Sequence, residues 1–337
     1  MYISHFGLNE YPFRLTPDTD YLYMSAVHSR AKAYMDYAIF NREGFVVITG
    51  EIGSGKTTLI KKLLSELDEN VVVAKIFQTQ LDEVELLQAI LVEFGLNPFR
   101  ARKVELLNML NQFLIDSYLE GKQVLLIIDD AQNLSKRVLE EVTLLSGVET
   151  QKEKILHVIL VGQPELNYML ESSDMEQLLQ RVSLRYHVRA LTLEESTEYV
   201  LHRLNVAGAN GRIFQDNLFS KIHEFTRGVP RLINTLCDTV LTCAYASNKL
   251  LVDDEEFENA IKELQWGEYA SKWTPDNKEY SLKDFNESEN DFYNNIDGPQ
   301  MNERIFNNGY KNINSLALVE ISRQLKRIAD SLEKKRK

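Results

Sequence analysis

The sequence predicts an α/β fold: a parallel β-sheet covered by helices on both faces, followed by a small all-helical domain. Three observations lead there. Apolar, β-branched runs of strand length alternate with amphipathic helical stretches, and no hairpin signal joins them, which leaves parallel strands linked by crossovers. One strand-to-helix junction carries Gly50-Glu51-Ile52-Gly53-Ser54-Gly55-Lys56-Thr57, the spacing G-x-x-x-x-G-K-[ST] of a phosphate-binding loop. After Leu193 the strand signals stop and helical periodicity alone remains.

The chain has 337 residues, room for two domains. It is 44% hydrophobic and 26% charged, so a folded, soluble body is expected. A net charge of −12 argues against blanket attraction to nucleic acid or anionic lipid. No apolar run reaches the roughly 18 residues of a membrane span. Met1 to Phe6 lacks the basic and long apolar regions of a signal peptide, and a cytoplasmic location is expected. Cys237 and Cys243, six apart on one apolar helical stretch, read as buried free thiols rather than a disulfide or metal site.

In chain order, residues 1–41 are expected to form an arm and helix flanking the nucleotide. Pro12, Phe13 and Pro17 sit among many aromatics, and Ser25 can cap a helix with Ala31, Tyr34, Met35 and Ala38 on one face. Residues 42–191 are the expected nucleotide-binding α/β domain. Its strands are Phe45–Ile48, Val71–Phe77, Val124–Ile128, Ile155–Val161 and Leu184–Val188. Its helices fall at about 83–95, 103–120 and 136–145, besides the one that opens at Thr58. Residues 192–265 hold helices at about 194–206, 216–226, 231–247 and 254–264, broken by Gly228-Val229-Pro230. Residues 266–313, rich in Asn and acids, read as a flexible linker. Residues 314–337 form a short amphipathic helix whose seam is Leu318, Ile321, Leu325, Ile328 and Leu332.

The loop residues Gly50 to Thr58 are the candidate phosphate cradle. Glycines let backbone amides close around phosphate oxygens, and the following helix adds positive potential. Lys56 would reach the β- and γ-phosphates, and Thr57 would hold Mg²⁺. Asp129 ends the third strand, where open α/β sheets place ligands, and is the natural second anchor for Mg²⁺. Asp130 beside it is the candidate for polarising the attacking water. Gln163 ends a later strand and can sense the γ-phosphate or that water. Arg181 and Arg185, around the fifth strand, are candidates for reaching a neighbouring subunit's γ-phosphate. Arg231, opening a helix of the small domain, can touch the phosphates of its own subunit.

These pieces form an ordered set: the loop, Asp129-Asp130-Ala131-Gln132-Asn133-Leu134, Gly162-Gln163-Pro164-Glu165-Leu166, Gln180-Arg181-Val182 and Gly228-Val229-Pro230-Arg231. With Tyr11-Pro12-Phe13, Thr16-Pro17-Asp18, Tyr21-Leu22-Tyr23 and His202-Arg203-Leu204, the set resembles the AAA+ ATPases of the ExeA/GspA (general secretion pathway protein A) type over roughly residues 1–265. The resemblance implies a P-loop ATPase using ATP and Mg²⁺ that assembles into rings or filaments. It makes Gly50–Thr57 the Walker A and Leu125–Asp130 the Walker B. Gln163 and Arg231 become sensors, Arg181 the arginine finger with Arg185 second, and His28 a residue near the nucleotide. The family usually carries Asp-Glu where this chain has Asp129-Asp130, which implies slower hydrolysis or a switch that mostly binds ATP.

The expected task is an oligomeric motor or switch that assembles or regulates a protein complex of secretion, pilus or polysaccharide-export type. The partner is unidentified; the 314–337 helix, with seven basic and three acidic residues, is a candidate contact for it. The alternatives are an ATP-dependent DNA-bound regulator resembling the transposition ATPases of the TniB type, and a slow ATP-binding switch. Two small basic clusters, Arg100-Arg102-Lys103 and Lys334–Lys337, are what the sequence offers to DNA.

Overall fold

The computed structural model describes residues 2–40, 45–77, 79–148 and 154–265. The predicted linker (266–313) and C-terminal helix (314–337) lie outside the described residues.

After a four-residue helix α1 (Tyr2–His5) the arm runs to α2 (Ala26–Phe40), where Ser25 Oγ accepts the His28 amide at 3.3 Å and caps the first turn. The elements then alternate: β1 (Phe45–Gly50), α3 (Lys56–Ser65), β2 (Val71–Ile76), α4 (Glu83–Glu93), α5 (Lys103–Leu119), β3 (Gln123–Ile128), α6 (Lys136–Leu145) and β4 (Leu156–Gly162). Two short helices, α7 (Glu165–Leu170) and α8 (Glu176–Arg181), precede β5 (Leu184–Val188). All pairings are parallel, in the order β2-β3-β4-β1-β5.

The sheet is filled from both sides because successive strand residues face opposite ways. Phe45, Val47, Leu126 and Ile128 enter a core with α4, α5 and α6. Val46, Ile48, Leu125 and Ile127 enter a second core with α2 and α3. Central strands β1 and β4 are wholly buried, which is why they read as unbroken apolar runs. Edge strand β5 alternates, and Arg185 and His187 take its open positions.

The last four helices, α9 (Leu193–Val206), α10 (Asn217–Thr226), α11 (Pro230–Ala246) and α12 (Asp254–Leu264), pack together. Thr192 and Glu195 close a capping box on α9, and Pro230 stands at the start of α11, where its missing N–H costs nothing. The N-terminal arm joins this helical core: Tyr2, Leu8, Phe13 and Tyr21 are buried with Tyr199, Leu204 and Phe214. The short α1, α7 and α8 carry no sequence signal strong enough to predict, since each is under two full turns. No described helix is long and apolar enough to cross a membrane.

Candidate functional site

The carboxyl ends of β1, β3 and β4 open into a cleft of about 440 Å³. Its far walls come from the arm and from α9 and α11. The topology explains the placement: adjacent strands in a parallel sheet end at one edge, so loops far apart in sequence converge there.

The loop between β1 and α3 forms the floor. Gly53 and Gly55 have φ of 82° and 94°, a region that only glycine occupies without strain. Both are also pressed from the side. A Cβ on Gly53 would overlap Arg231 Cβ, and one on Gly55 would stand 3.0 Å from His28 Nε2. The glycines thus let two other segments touch the loop. The Arg231 amide donates to Gly53 O at 3.2 Å, and His28 Nε2 lies 2.8 Å from Ser54 O. Ser25 Oγ lies 2.7 Å from His28 Nδ1 on the other side, and burial of the ring pushes its pKa down.

Lys56 is only 7% exposed. Its Nζ donates to Gly50 O at 2.6 Å and to Glu51 O at 2.9 Å. Burial lowers its pKa, against the attraction of Asp129, Asp130, Glu51 and Glu165. Thr57 Oγ1 donates to Asp129 Oδ2 at 2.8 Å. Asp129 is 4% exposed, and burial raises its pKa against the hydrogen bonds from Thr57 and the Asp130 amide. A buried carboxylate and a hydroxyl side by side are the hard oxygen ligands that a small divalent cation selects. Among the described residues no side chain caps the first amides of α3. These amides fit a phosphate chain bound against the helix N-terminus.

Asp130 has φ 52°, a left-handed conformation uncommon outside glycine, so its carboxylate turns out of the strand. Gln132 holds it there: Nε2 donates to Asp130 Oδ1 at 3.2 Å, while Oε1 accepts the Gln163 amide at 2.9 Å. One side chain therefore links the ends of β3 and β4.

The structure brings Lys56, Thr57, Thr58, Asp129, Asp130, Gln163, Arg231 and His28 together on the cleft, along with Ile52, Gly53 and Gly55. Gly50, Glu51 and Ser54 contribute the carbonyls just described. Arg181 and Arg185 do not line it. Arg181 Nη1 donates to Thr143 O at 2.7 Å and Ser146 Oγ at 3.3 Å, closing the end of α6. Arg185, on the edge strand, pairs with Glu171 at 3.1 Å.

The arm, expected beside the nucleotide, lines the other end of the cleft with Arg14, Tyr21 and Tyr23; sequence reasoning gave no role to Tyr199, Arg203 and Asn234, which stand there too. Arg203, 6% exposed, donates to Pro12 O at 2.6 Å, to Arg14 O at 3.2 Å and to Tyr199 Oη at 2.8 Å. Its guanidinium lies 4.9 Å from the Tyr21 ring centre. It pins the arm to α9. Its signal in the sequence is His202-Arg203-Leu204, which marks a motif without stating a role.

An AAA domain family matches residues 40–170. The chain is 40% identical to general secretion pathway protein A of Aeromonas hydrophila over 257 residues, 75% of this chain. The chain carries an AAA domain over residues 40–170. It spans about half the length (47%) of the secretion relative it matches. Solved AAA-like structures share the fold at low identity. The ORC2 protein of Aeropyrum pernix, in ADPNP-ADP complexes, superposes with a TM-score of 0.56 at 17% identity, covering 76% of this chain and 72% of that one. Cdc6p of Pyrobaculum aerophilum gives 0.55 at 17% identity, covering 77% and 70%.

Proposed function

We propose that this protein binds and hydrolyses ATP with Mg²⁺ and works as an oligomeric switch or motor in assembling a protein complex of the secretion type. The convergence of Lys56, the Thr57–Asp129 pair, Asp130, Gln163 and Arg231 on one cleft carries this reading. The resemblance to general secretion pathway protein A points to the task.

The residues divide the work. The loop amides and Lys56 bind the phosphates, Lys56 exchanging its two carbonyl partners for phosphate oxygens. Thr57 and Asp129 are the residues that would hold Mg²⁺, which neutralises charge on the β- and γ-oxygens when bound. Asp130 orients the water and receives its proton. Gln163 reports the γ-phosphate. Arg231, bonded through its amide to Gly53, couples the helical domain to the phosphates. Arg185, exposed on the edge strand, and Arg181, at the end of α8, are the groups for a neighbouring subunit's phosphate. Each must first leave its present partner.

A slow switch is the second reading. Asp130 is shorter by one methylene than a glutamate and is held by Gln132, so its reach toward the γ-phosphate is limited. Turnover of ATP with Mg²⁺, measured beside Lys56→Ala, tests both, together with light scattering in ATP and in ADP. Turnover that vanishes in the variant and a larger assembly in ATP are expected. Turnover and nucleotide binding no greater than in Lys56→Ala would remove the proposal.

A further inference from the structure

Asn234 lies one turn beyond Arg231 on α11, and its side chain is part of the cleft wall. It is 6% exposed. Asn234 Oδ1 accepts from the Tyr199 hydroxyl at 2.8 Å. Which way the amide faces follows from counting protons. Arg203 is a donor at every nitrogen, so the Tyr199 oxygen accepts from Arg203 Nη1. The single hydroxyl proton must then go elsewhere, and the Asn234 oxygen is where it goes. Arg203 is itself fixed by Pro12 O and Arg14 O, so the whole chain of bonds runs in one direction. The Asn234 amide nitrogen is left with two protons. It has no partner among the described residues and is not among the atoms sealed from the cleft. At Asn234 this end of the cleft therefore presents two amide protons.

Resting on the ATP reading above, we propose that Asn234 is a specificity-determining residue: its amide N–H groups donate to an acceptor on the sugar–base half of the nucleotide. The phosphates lie against the loop, where Lys56, Thr57 and Arg231 stand. Asn234 is placed beyond Arg231 toward the arm residues Tyr21 and Tyr23, whose rings line the same cleft. That end suits a flat heterocycle and its sugar. A ring nitrogen or a ribose oxygen satisfies the donor, whereas an exocyclic amino group opposite it leaves two donors facing each other.

Calorimetric titration of the full chain tests this. The ligands are ATP, 2′-deoxy-ATP, and the 1-deaza, 3-deaza and 7-deaza analogues of ATP, each lacking one acceptor. Wild type should lose about tenfold in affinity on one of these analogues, the one missing the atom Asn234 contacts. Asn234→Asp keeps the oxygen that Tyr199 needs and removes the donors. It should bind ATP about tenfold more weakly and no longer distinguish that analogue. Wild type that binds all five within twofold, or an Asn234→Asp chain that still discriminates, overturns the inference while the ATP reading stands. The wild-type series decides even if the variant does not fold. Wild type that binds no ATP removes both.

Discussion

Replacing Arg203 by methionine should loosen the arm and the cleft together. Methionine keeps the length of the buried stem and deletes every donor. Pro12 O, bonded at 2.6 Å, is left without a partner, at a cost of about 1–3 kcal/mol for a buried acceptor. Arg14 O lines the cleft and can take water in place of the guanidinium, so its loss counts for little. The rings of Tyr21 and Tyr199, 4.9 and 5.6 Å from the guanidinium, lose a cation–π contact worth about 0.5–2 kcal/mol. A buried cation no longer has to be desolvated, which offsets part of the loss. The net is a destabilisation of about 3 kcal/mol, or about 6–12 °C in melting temperature for a unit of this size. The arm offers a separate readout. Arg14 is the one trypsin site in residues 1–24, and it lies beside the anchored carbonyls. Cleavage after Arg14 should quicken at a temperature where the rest of the chain is still folded. A variant that melts within about 2 °C of wild type and is cut at the wild-type rate would show that Arg203 does not hold the arm.

Two further perturbations probe the floor of the cleft. Gln132→Ala removes the bridge between Asp130 and the Gln163 amide; steady-state kinetics should show kcat lower by about tenfold with KM within about twofold, and an unchanged kcat takes Gln132 out of the reaction. His28 is held neutral by burial, with its pKa below the ordinary 6.5, so the unfolded chain takes up the proton first as pH falls. Its contribution to stability is complete above 6.5 and is lost below it, and His28→Gln should flatten the fall in urea midpoint between about pH 7.5 and pH 5. Equal slopes for the two chains would assign that pH dependence to other groups.

The placement of the glycine loop and of the Asp129-Asp130 strand end on one cleft was legible because both are set locally: glycine at fixed spacing gives a loop that can wrap a phosphate, and a carboxylate that ends a parallel strand faces the ligand edge of the sheet. The buried strands were legible for a similar reason, since a parallel sheet covered on both faces needs unbroken apolar runs. What stayed hidden depends on pairs far apart in sequence. Arg203 meets Pro12 O across 191 positions, and no local pattern says that a basic residue on an amphipathic helix will turn inward to seize a backbone carbonyl. Asn234 looks like an ordinary polar residue on a helix until Tyr199 and Arg203 are placed beside it. Gln132 stood within a recognised motif, but its two bonds require the ends of β3 and β4 to be neighbours, which only the strand order supplies.

These hidden contacts decide how the cleft can respond to its ligand. The arm shares its core with the helical domain, through Tyr2, Phe13 and Tyr21, and Arg203 fastens the two. Arm and helices α9 to α12 therefore form one packed body. That body meets the phosphate loop where the Arg231 amide donates to Gly53 O. The bond runs backbone to backbone, and the approach passes over Gly53, which has no room for a side chain. Any rearrangement of the loop around phosphate is thus felt directly by the helical body, with no intervening side-chain chain to absorb it. Ligand energy spent at the floor can move the far wall, which carries Asn234 and the arm, because packed contacts shift as units rather than stretch. Under the proposed function the same linkage runs in reverse: a partner that gripped the helical body would alter nucleotide affinity by the factor with which nucleotide alters that partner's binding.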